Sequence, residues 1–490
     1  MPRRPFVLLS LFSSLCFSWP AQAQVAAPAD CKADVDLTAD GGLKVAVHYR
    51  CRSNSAVVFR AAGQAAAAHI TQITDRAGGA LRPSAGAWRI EPVNGTAELG
   101  YSVDLMAYAQ DVDSPAIAVA RGGGVLTLLE GWLLEPRGLS HLPVIDIRVK
   151  AADGLSFASG LSKVGDAWRL EGTPVRFAGY AALGKFSLQE IPMPAPGSLR
   201  SGQAKREGEL RLALLDGFSE QGRADLAVWV RRTAEAESNY WRGFTADRLM
   251  LAIVPMDTTR SVGFGRTISG GGATVMLEAG RQVDQRRLYD QWPLVHELIH
   301  TGMPYVDNRG TWLMEGAATY VEPIIRARAG WKTEDEVWKE WIENMPRGVA
   351  AFDAGLAHAV GQQNYWGGAI FMLLTDIGIR QATGGAKGLE DCLGGVLWSG
   401  LDAVKRVTVK EFAAACDRAT GSSVATDLVQ RHYEAREPVD LAAFWKRLGV
   451  ADVHGRIVYD DKAPDIRWRK MIVMGPPDRP PQPVKLPWQS

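Results

Sequence analysis

The sequence predicts an α+β protein in which an antiparallel β domain is followed by a mostly helical domain. From Gln24 to about Ile191 the apolar residues recur with a period near two, and glycine-rich turns separate the runs. The segment Pro192–Ser198 interrupts this pattern with three prolines, and helical periods dominate beyond it. We therefore expect a β domain at 24–195, a helical domain at 196–435 and a small C-terminal segment at 436–490.

Four runs in the first half alternate apolar and polar residues, as strands with one buried face do. They are Leu43–Tyr49, Trp88–Val93, Val144–Val149 and Trp168–Phe177. The pair Asn94-Gly95 follows the second run and predicts a tight turn, because both residues tolerate a positive φ.

Six segments of the second half have the 3.6-residue period of amphipathic helices. They are Ala224–Trp241, Gln291–Gly302, Trp312–Ala329, Glu334–Asn344, Tyr365–Ile379 and Val409–Ala419. Strands are expected at Arg248–Met256 and in the glycine-rich run Thr267–Glu278. The C-terminal segment predicts a short helix around Ala442–Leu448 and a flexible proline-rich tail from Pro476 to Pro487.

The composition excludes several classes of protein. Of the 490 residues, 47% are hydrophobic and 22% are charged, which is the balance of a globular chain and not of a disordered one. Lys plus Arg (55) nearly equals Asp plus Glu (54), so no net basic charge attracts nucleic acid. A mean hydropathy of −0.08 excludes a polytopic membrane protein.

The first 23 residues predict a signal peptide. Arg3 and Arg4 form a basic start, Phe6–Phe17 is largely apolar, and Ala21–Ala23 is a small-x-small cleavage site. Lipid attachment at Cys16 is an alternative, but the bulky residue before it disfavours that interpretation. Because no later stretch reaches about 18 apolar residues, we expect a periplasmic or secreted protein without stable membrane insertion.

Four cysteines follow the signal peptide, and they predict two disulfides in an oxidising compartment. Proximity in sequence favours Cys31 with Cys51 across two early strands, and Cys392 with Cys416 between two helices. Four cysteines allow three pairings, and four buried thiols are the remaining alternative.

The segment His296-Glu297-Leu298-Ile299-His300 carries the most specific chemical signal. Residues four apart share one face of a helix, so both imidazoles can bind one metal ion. Glu297 lies about 100° further round the helix. That offset keeps its carboxylate off the metal but within reach of a bound water, where a general base is needed.

A catalytic zinc site needs a third protein ligand from another element, and Glu315 is the candidate. Residues 301–314 separate it from His300 and contain glycine, proline and asparagine, so they can form a reversing loop that pairs two helices. Gly316 leaves room for close packing. Glu322 lies on nearly the same face and either orients a ligating histidine or is a solvated surface charge.

These motifs resemble those of the gluzincin metallopeptidases, particularly the aminopeptidase N and glycyl aminopeptidase families. The resemblance is carried by His296-Glu297-x-x-His300 and by the run Trp312–Glu322. It implies a thermolysin-like zinc peptidase domain in which His296, His300 and Glu315 bind one Zn²⁺ and Glu297 is the base. The short interval between His300 and Glu315 marks the chain as a divergent member.

The same resemblance suggests further site residues. Family members place an oxyanion-stabilising tyrosine before a Lys-Gly pair, and here Tyr365 stands in that place although Gly367 replaces the lysine. A buried core tyrosine is the alternative. The family's Gly-x-Met-Glu-Asn motif is absent. In its place we expect an edge strand in which Gly272 and Ala273 bind an extended peptide. Glu278 on this strand is expected to bind the substrate's amino group, and the alternative is that Glu278 is a surface charge at the end of the strand.

The expected function is therefore a zinc-dependent metallopeptidase acting on peptide or protein substrates, and free amino termini are the preferred target. A zinc endopeptidase is the nearest alternative. A non-catalytic peptide-binding envelope protein with a structural zinc site is the second, and Glu297 argues against it because such a site needs no base.

Overall fold

The computed structural model describes residues 28–193, 208–257, 262–307 and 309–489. The predicted signal peptide at 1–23, including Cys16, lies outside these ranges, as does most of the proline-rich boundary segment. Among the described residues, no helix combines the length and the apolar character needed to cross a membrane.

In its described residues, the N-terminal region has fourteen short strands, two small α-helices and two single-turn 3-10 helices. The strands are β1 (Cys31–Thr38), β2 (Lys44–Arg52), β3 (Val57–Arg60), β4 (Ile70–Asp75), β5 (Ala87–Ile90), β6 (Thr96–Asp104), β7 (Ala118–Arg121), β8 (Gly124–Leu128), β9 (Glu135–Arg137), β10 (Ile145–Ala151), β11 (Ser156–Ser159), β12 (Ser162–Val164), β13 (Ala167–Leu170) and β14 (Tyr180–Gly184). The α-helices are α1 (Gln64–Ala68) and α2 (Leu105–Val112).

These strands form three sheets with a shared apolar core. The orders are β12-β13-β10-β1-β2-β6-β4, β11-β14-β8-β7 and β5-β3-β9. In β1 the residues Cys31, Ala33, Val35 and Leu37 face the core while their neighbours are exposed or half-buried, which is the predicted alternation. The pairing of β1 with β10 is parallel, whereas the other ladders described here are antiparallel.

A mixed, five-stranded sheet begins the following region, with the order β15-β16-β17-β19-β18. Its strands are β15 (Ser187–Met193), β16 (Gly208–Leu214), β17 (Arg248–Met256), β18 (Val262–Ile268) and β19 (Ala273–Gly280). The domain boundary at 195/196 stays a prediction; β15 precedes it and pairs with β16 beyond it.

The rest of the region is mainly helical, which confirms the α+β class. Its helices are α3 (Glu220–Trp241), α4 (Gln285–Leu288), α5 (Pro293–Thr301), α6 (Thr311–Arg328), α7 (Glu334–Asn344), α8 (Ala350–Ala354), α9 (Gln362–Ala382), α10 (Leu389–Trp398), α11 (Val409–Thr420), α12 (Val424–His432), α13 (Leu441–Leu448) and α14 (Ile466–Met474). Small two-stranded pairs join β20 (Tyr305–Val306) to β21 (Arg406–Val407) and β22 (Val450–Val453) to β23 (Arg456–Tyr459).

Both favoured cysteine pairings are present. Cys31 and Cys51 lie directly opposite each other in the β1–β2 ladder and are bonded. Cys392 of α10 is bonded to Cys416 of α11. All four half-cystines are buried, so each bridge joins neighbouring elements inside a core.

The proline-rich C-terminus is packed against the helical region, so the prediction of a flexible tail is wrong. Val484 is buried and donates its main-chain N–H to the carbonyl of Ala329, 3.0 Å away. Trp331 donates its indole N–H to the carbonyl of Val484 at 2.9 Å. Arg479 makes two hydrogen bonds of 3.0 Å to the Asp391 carboxylate. A proline-rich composition removes main-chain donors, but it does not prevent the remaining groups from docking.

Candidate metal centre and active site

Helix α5 carries the paired histidines. Pro293 begins it, where the missing N–H costs no hydrogen bond, and Gly302 follows its last residue. Leu294, Val295, Leu298 and Ile299 are buried, so the helix is held by apolar contacts on several sides. This packing fixes the direction in which His296 and His300 project.

The three predicted metal ligands lie together. The Oε2 atom of Glu315, on α6, is 3.2 Å from Nε2 of His296 and 3.7 Å from Nε2 of His300. One ligand atom from each residue lies within 4.8 Å of the other two. Two histidines one helical turn apart and a carboxylate from the next helix thus converge as the motif spacing indicates.

The electrostatics of this cluster favour an anionic carboxylate. Burial raises the pKa of Glu315, but hydrogen bonds and charge interactions with His296 and His300 outweigh it and hold that pKa well below its ordinary value. Burial lowers the pKa of His300, and the Glu315 carboxylate more than offsets this effect. The carboxylate is therefore in its metal-binding form at neutral pH.

The donor set fits zinc. Zinc–nitrogen and zinc–oxygen bonds of about 2.0–2.2 Å in tetrahedral geometry place neighbouring ligand atoms about 3.4 Å apart. The separations of 3.2 and 3.7 Å from Glu315 to the histidines bracket this value. Two imidazoles and one carboxylate form a ligand set typical of catalytic zinc sites, which leave one position for water or substrate.

Glu297 lies between this cluster and the edge strand β18. Its side chain is largely buried, and its charge raises the pKa of both His300 and Tyr365. The hydroxyl of Thr267 lies 2.7 Å from Glu297 Oε2 and 2.9 Å from the Glu297 carbonyl oxygen. A Cβ atom added to Gly265 would lie 2.7 Å from Glu297 Cγ, so the carboxylate passes directly over the strand.

Sequence reasoning did not find Thr267 or Gly265, although the sequence contains a signal for them. Glycine occupies alternate positions, Gly263 and Gly265, within the short run Val262–Ile268. Glycines in a strand indicate that another group approaches its backbone closely. At Gly265 this group is the side chain of Glu297, whereas Gly263, at a shift in the strand register, is approached by Met256 and Glu278.

The predicted edge strand at residues 270–278 is wrong, because β18 is the edge and β19 lies between β17 and β18. Gly270–Gly272 forms the turn before β19 and touches the N-terminal region. A Cβ atom on Gly270 would lie 2.4 Å from the carbonyl oxygen of Phe177, and one on Gly272 would lie 2.1 Å from that of Gly160. These glycines therefore allow the backbones of the two regions to come into contact, and this contact leaves no room for a substrate peptide beside them.

Ala273 and Glu278 also lie on the interior strand. Ala273 is buried and pairs with Leu249 of β17. Glu278 pairs with Val254 and is partly exposed. Both edges of their strand are occupied by neighbouring strands, so neither residue can add an extended peptide through the main chain.

Aromatic rings flank His296. The ring of Tyr365, on α9, stacks near it with centroids 6.1 Å apart, and the exposed ring of Trp292 meets it edge-on at 5.1 Å. Burial, followed by the negative charges of Glu315 and Glu297, raises the pKa of Tyr365. Its phenol is consequently protonated at neutral pH and able to donate a hydrogen bond.

Glu322 neither orients a ligating histidine nor faces solvent. It is buried, and its carboxylate accepts a hydrogen bond of 3.0 Å from Arg326, one turn further along α6. Arg326 also donates to the carbonyl of Tyr289 at 3.2 Å. Glu322 is thus part of a structural ion pair inside the helical region.

Comparison with known proteins finds similar structures but no similar sequence. No protein-family model matches the sequence, and no curated protein matches it. An aminopeptidase N family protein from Idiomarina loihiensis has a similar structure, with a TM-score of 0.61 at 14% identity, covering 86% of this chain and 78% of that one. This likeness shows that the two proteins share a fold.

Two structures of an M1 zinc metallopeptidase mutant from Deinococcus radiodurans are also similar, each with a TM-score of 0.48. The first is 14% identical and covers 84% of this chain and 94% of that one. The second, at 13% identity and the same coverages, has a Tyr-Ser-Ala substrate bound.

Proposed function

We propose that the protein is a zinc-dependent metallopeptidase and, more specifically, an aminopeptidase. The observation that carries this proposal is the convergence of His296, His300 and Glu315, with one ligand atom from each within 4.8 Å of the others. Glu297 and Tyr365 adjoin the same cluster, and these are the residue types that peptide hydrolysis requires beside a metal.

One zinc ion held by His296, His300 and Glu315 would supply Lewis-acid polarisation of the scissile carbonyl and make water more acidic. Glu297 would accept the proton of the attacking water and transfer it to the leaving amine. The phenolic O–H of Tyr365 would donate a hydrogen bond to the carbonyl oxygen as negative charge develops there.

The edge strand β18 is the element we propose for substrate binding. Within the described part of the chain it pairs with β19 on one side only, and we propose that its other side makes main-chain hydrogen bonds to an extended peptide. Thr267, on β18, touches Glu297, so a peptide paired with this strand would run past the base. The exposed ring of Trp292 beside His296 would provide an apolar surface for a substrate side chain.

The aminopeptidase activity is proposed from the fold that the chain shares with the Idiomarina loihiensis protein. The family's amine-binding motif is absent from the sequence, and binding of the substrate's amino group by Glu278 remains a prediction. An endopeptidase is therefore the alternative, and an experiment must distinguish it from an aminopeptidase. We also propose a periplasmic or secreted location, which the two disulfides support.

Metal-dependent hydrolysis tests the proposal. The mature protein should cleave a mixed peptide pool, lose the activity on chelation and regain it when zinc is restored. Glu297→Gln should bind zinc to the same stoichiometry and cleave nothing. A wild-type protein that binds zinc yet leaves the pool intact would instead indicate a non-catalytic peptide-binding protein.

A further inference from the structure

Two residues of β18 contact opposite sides of the Glu297 carboxyl group. Gly265 and Thr267 are two residues apart, so they lie on the same face of the strand, and that face meets helix α5 at Glu297. The contact joins the edge of the sheet to the residue between the two histidines.

The hydroxyl of Thr267 has one proton and two acceptors on Glu297. Oε2 lies at 2.7 Å and the main-chain carbonyl oxygen at 2.9 Å. The ionised carboxylate is the stronger acceptor, because a hydrogen bond to a charged group is shorter and about twice as strong as a neutral one. Thr267 therefore holds Oε2 in the shorter of its two contacts.

Gly265 leaves room for the other oxygen. A Cβ atom at this position would lie 3.0 Å from Glu297 Oε1 and 2.7 Å from Cγ, closer than side chains tolerate. No hydrogen bond from the described residues reaches Oε1. One oxygen is thus tethered, and the other is left free beside a residue that has no side chain.

We propose that Thr267 is a positioning residue for the base, Glu297, and that Gly265 leaves the space that the Glu297 carboxylate occupies. The Thr267 hydroxyl fixes the plane of the Glu297 carboxylate through Oε2, so that Oε1 is presented to the reacting water. This inference rests on the proposed peptidase function, but it concerns how the base is held and has a structural consequence of its own.

Replacing Thr267 tests the proposal by separating catalysis from binding. Thr267→Val keeps the size of the side chain and removes the hydroxyl, so kcat should fall about tenfold to a hundredfold while KM changes by less than about threefold. Thr267→Ser retains the hydroxyl and should stay within about threefold of wild type. Gly265→Ala should lower kcat further, because it displaces the carboxylate itself.

Thr375→Val is the matched control. Its buried hydroxyl donates at 2.8 Å only to the carbonyl of Phe371, on the helix that carries Tyr365. The Thr375→Val variant also loses a threonine hydroxyl, but one that does not contact Glu297, so its kcat should remain within about twofold of wild type. Zinc content measured in every variant should be equal, since no ligand changes.

Crystal structures of the wild type and Thr267→Val provide the second readout. The Glu297 carboxylate should hold one orientation in the wild type and should rotate or split into two in the variant. A Thr267→Val enzyme with wild-type kcat overturns the proposal, and so does an unchanged Glu297. If the wild type cleaves no peptide, the proposed function fails, and the orientation of Glu297 still decides whether Thr267 positions it.

Discussion

Gly316 and Gly368 bring helices α6 and α9 into contact through their backbones. A Cβ atom on Gly316 would lie 2.2 Å from the Cα of Gly368, and one on Gly368 would lie 1.9 Å from the carbonyl oxygen of Trp312. Gly316 immediately follows Glu315, and Gly368 follows Tyr365 by three residues. The contact therefore sets the distance between the third metal ligand and the proposed oxyanion donor.

Gly316→Ala should destabilise the protein and weaken zinc binding. The added methyl group meets main-chain atoms that cannot rotate away, so the helices must separate at a cost of about 1–3 kcal/mol or more. The urea unfolding midpoint and the zinc dissociation constant are the measurements. Gly394→Ala in α10 is the control, because its Cβ meets its nearest neighbour at 3.9 Å and alanine favours a helix. Equal stability of the two variants would contradict the close-contact explanation.

Glu315→Gln should reduce zinc affinity at least about a hundredfold, because the carboxylate supplies the only negative charge among the three proposed ligands. Zinc content after dialysis against a competing chelator measures the effect. Glu278→Gln changes another glutamate in the same region and should retain zinc fully, since Glu278 does not belong to the cluster of His296, His300 and Glu315. Retention of zinc by Glu315→Gln would remove this residue from the ligand set.

Tyr365→Phe should lower kcat about 10²- to 10³-fold with little change in KM, as expected when a donor that acts in the transition state is lost. Steady-state kinetics on one peptide substrate measure it. Tyr305→Phe removes an exposed phenol in the strand that follows α5 and should retain wild-type kcat. A Tyr365→Phe enzyme with unchanged kcat would indicate that the tyrosine is only a packing residue.

The two disulfides should be detectable chemically and should stabilise the fold. Alkylation of the denatured mature protein should label none of the four cysteines before reduction and all four after it. Loop separations of 20 and 24 residues correspond to about 3 kcal/mol each in the chain-entropy model. Replacing Cys31 and Cys51 together by alanine should lower the urea midpoint. Free thiols in the unreduced protein would exclude this pairing.

The site was predictable from sequence to the extent that it depends on helical spacing. His296 and His300 must share a face of one helix, and a short loop can bring Glu315 to them. The strand Arg248–Met256 and the helix Glu334–Asn344 were predicted with the bounds they have, since the first is a compact apolar run and the second has a clear helical period. Cys31 and Cys51 were paired correctly because neighbouring strands commonly join in a hairpin.

Strand order was not predictable, because it depends on contacts between distant residues. The glycine-rich run before Glu278 suggested an edge open to peptide, whereas Gly272 packs against Gly160 of the N-terminal region. The role of Glu322 was missed because its partner, Arg326, is an ordinary helix residue until both are buried. The helix that carries Cys392 was expected from the disulfide pairing, but the bounds of α10 were not predicted, because its glycine pair weakens the periodic pattern.

The most direct test is a mass-spectrometric digest of a peptide pool that contains each peptide in free and N-acetylated form. We expect the mature protein to trim the free peptides one residue at a time and to leave the acetylated ones intact, and Glu297→Gln to cleave neither. Internal cuts in both forms would make the protein an endopeptidase. A pool left untouched by wild type and variant alike would contradict the proposal that His296, Glu297, His300 and Glu315 form a catalytic centre.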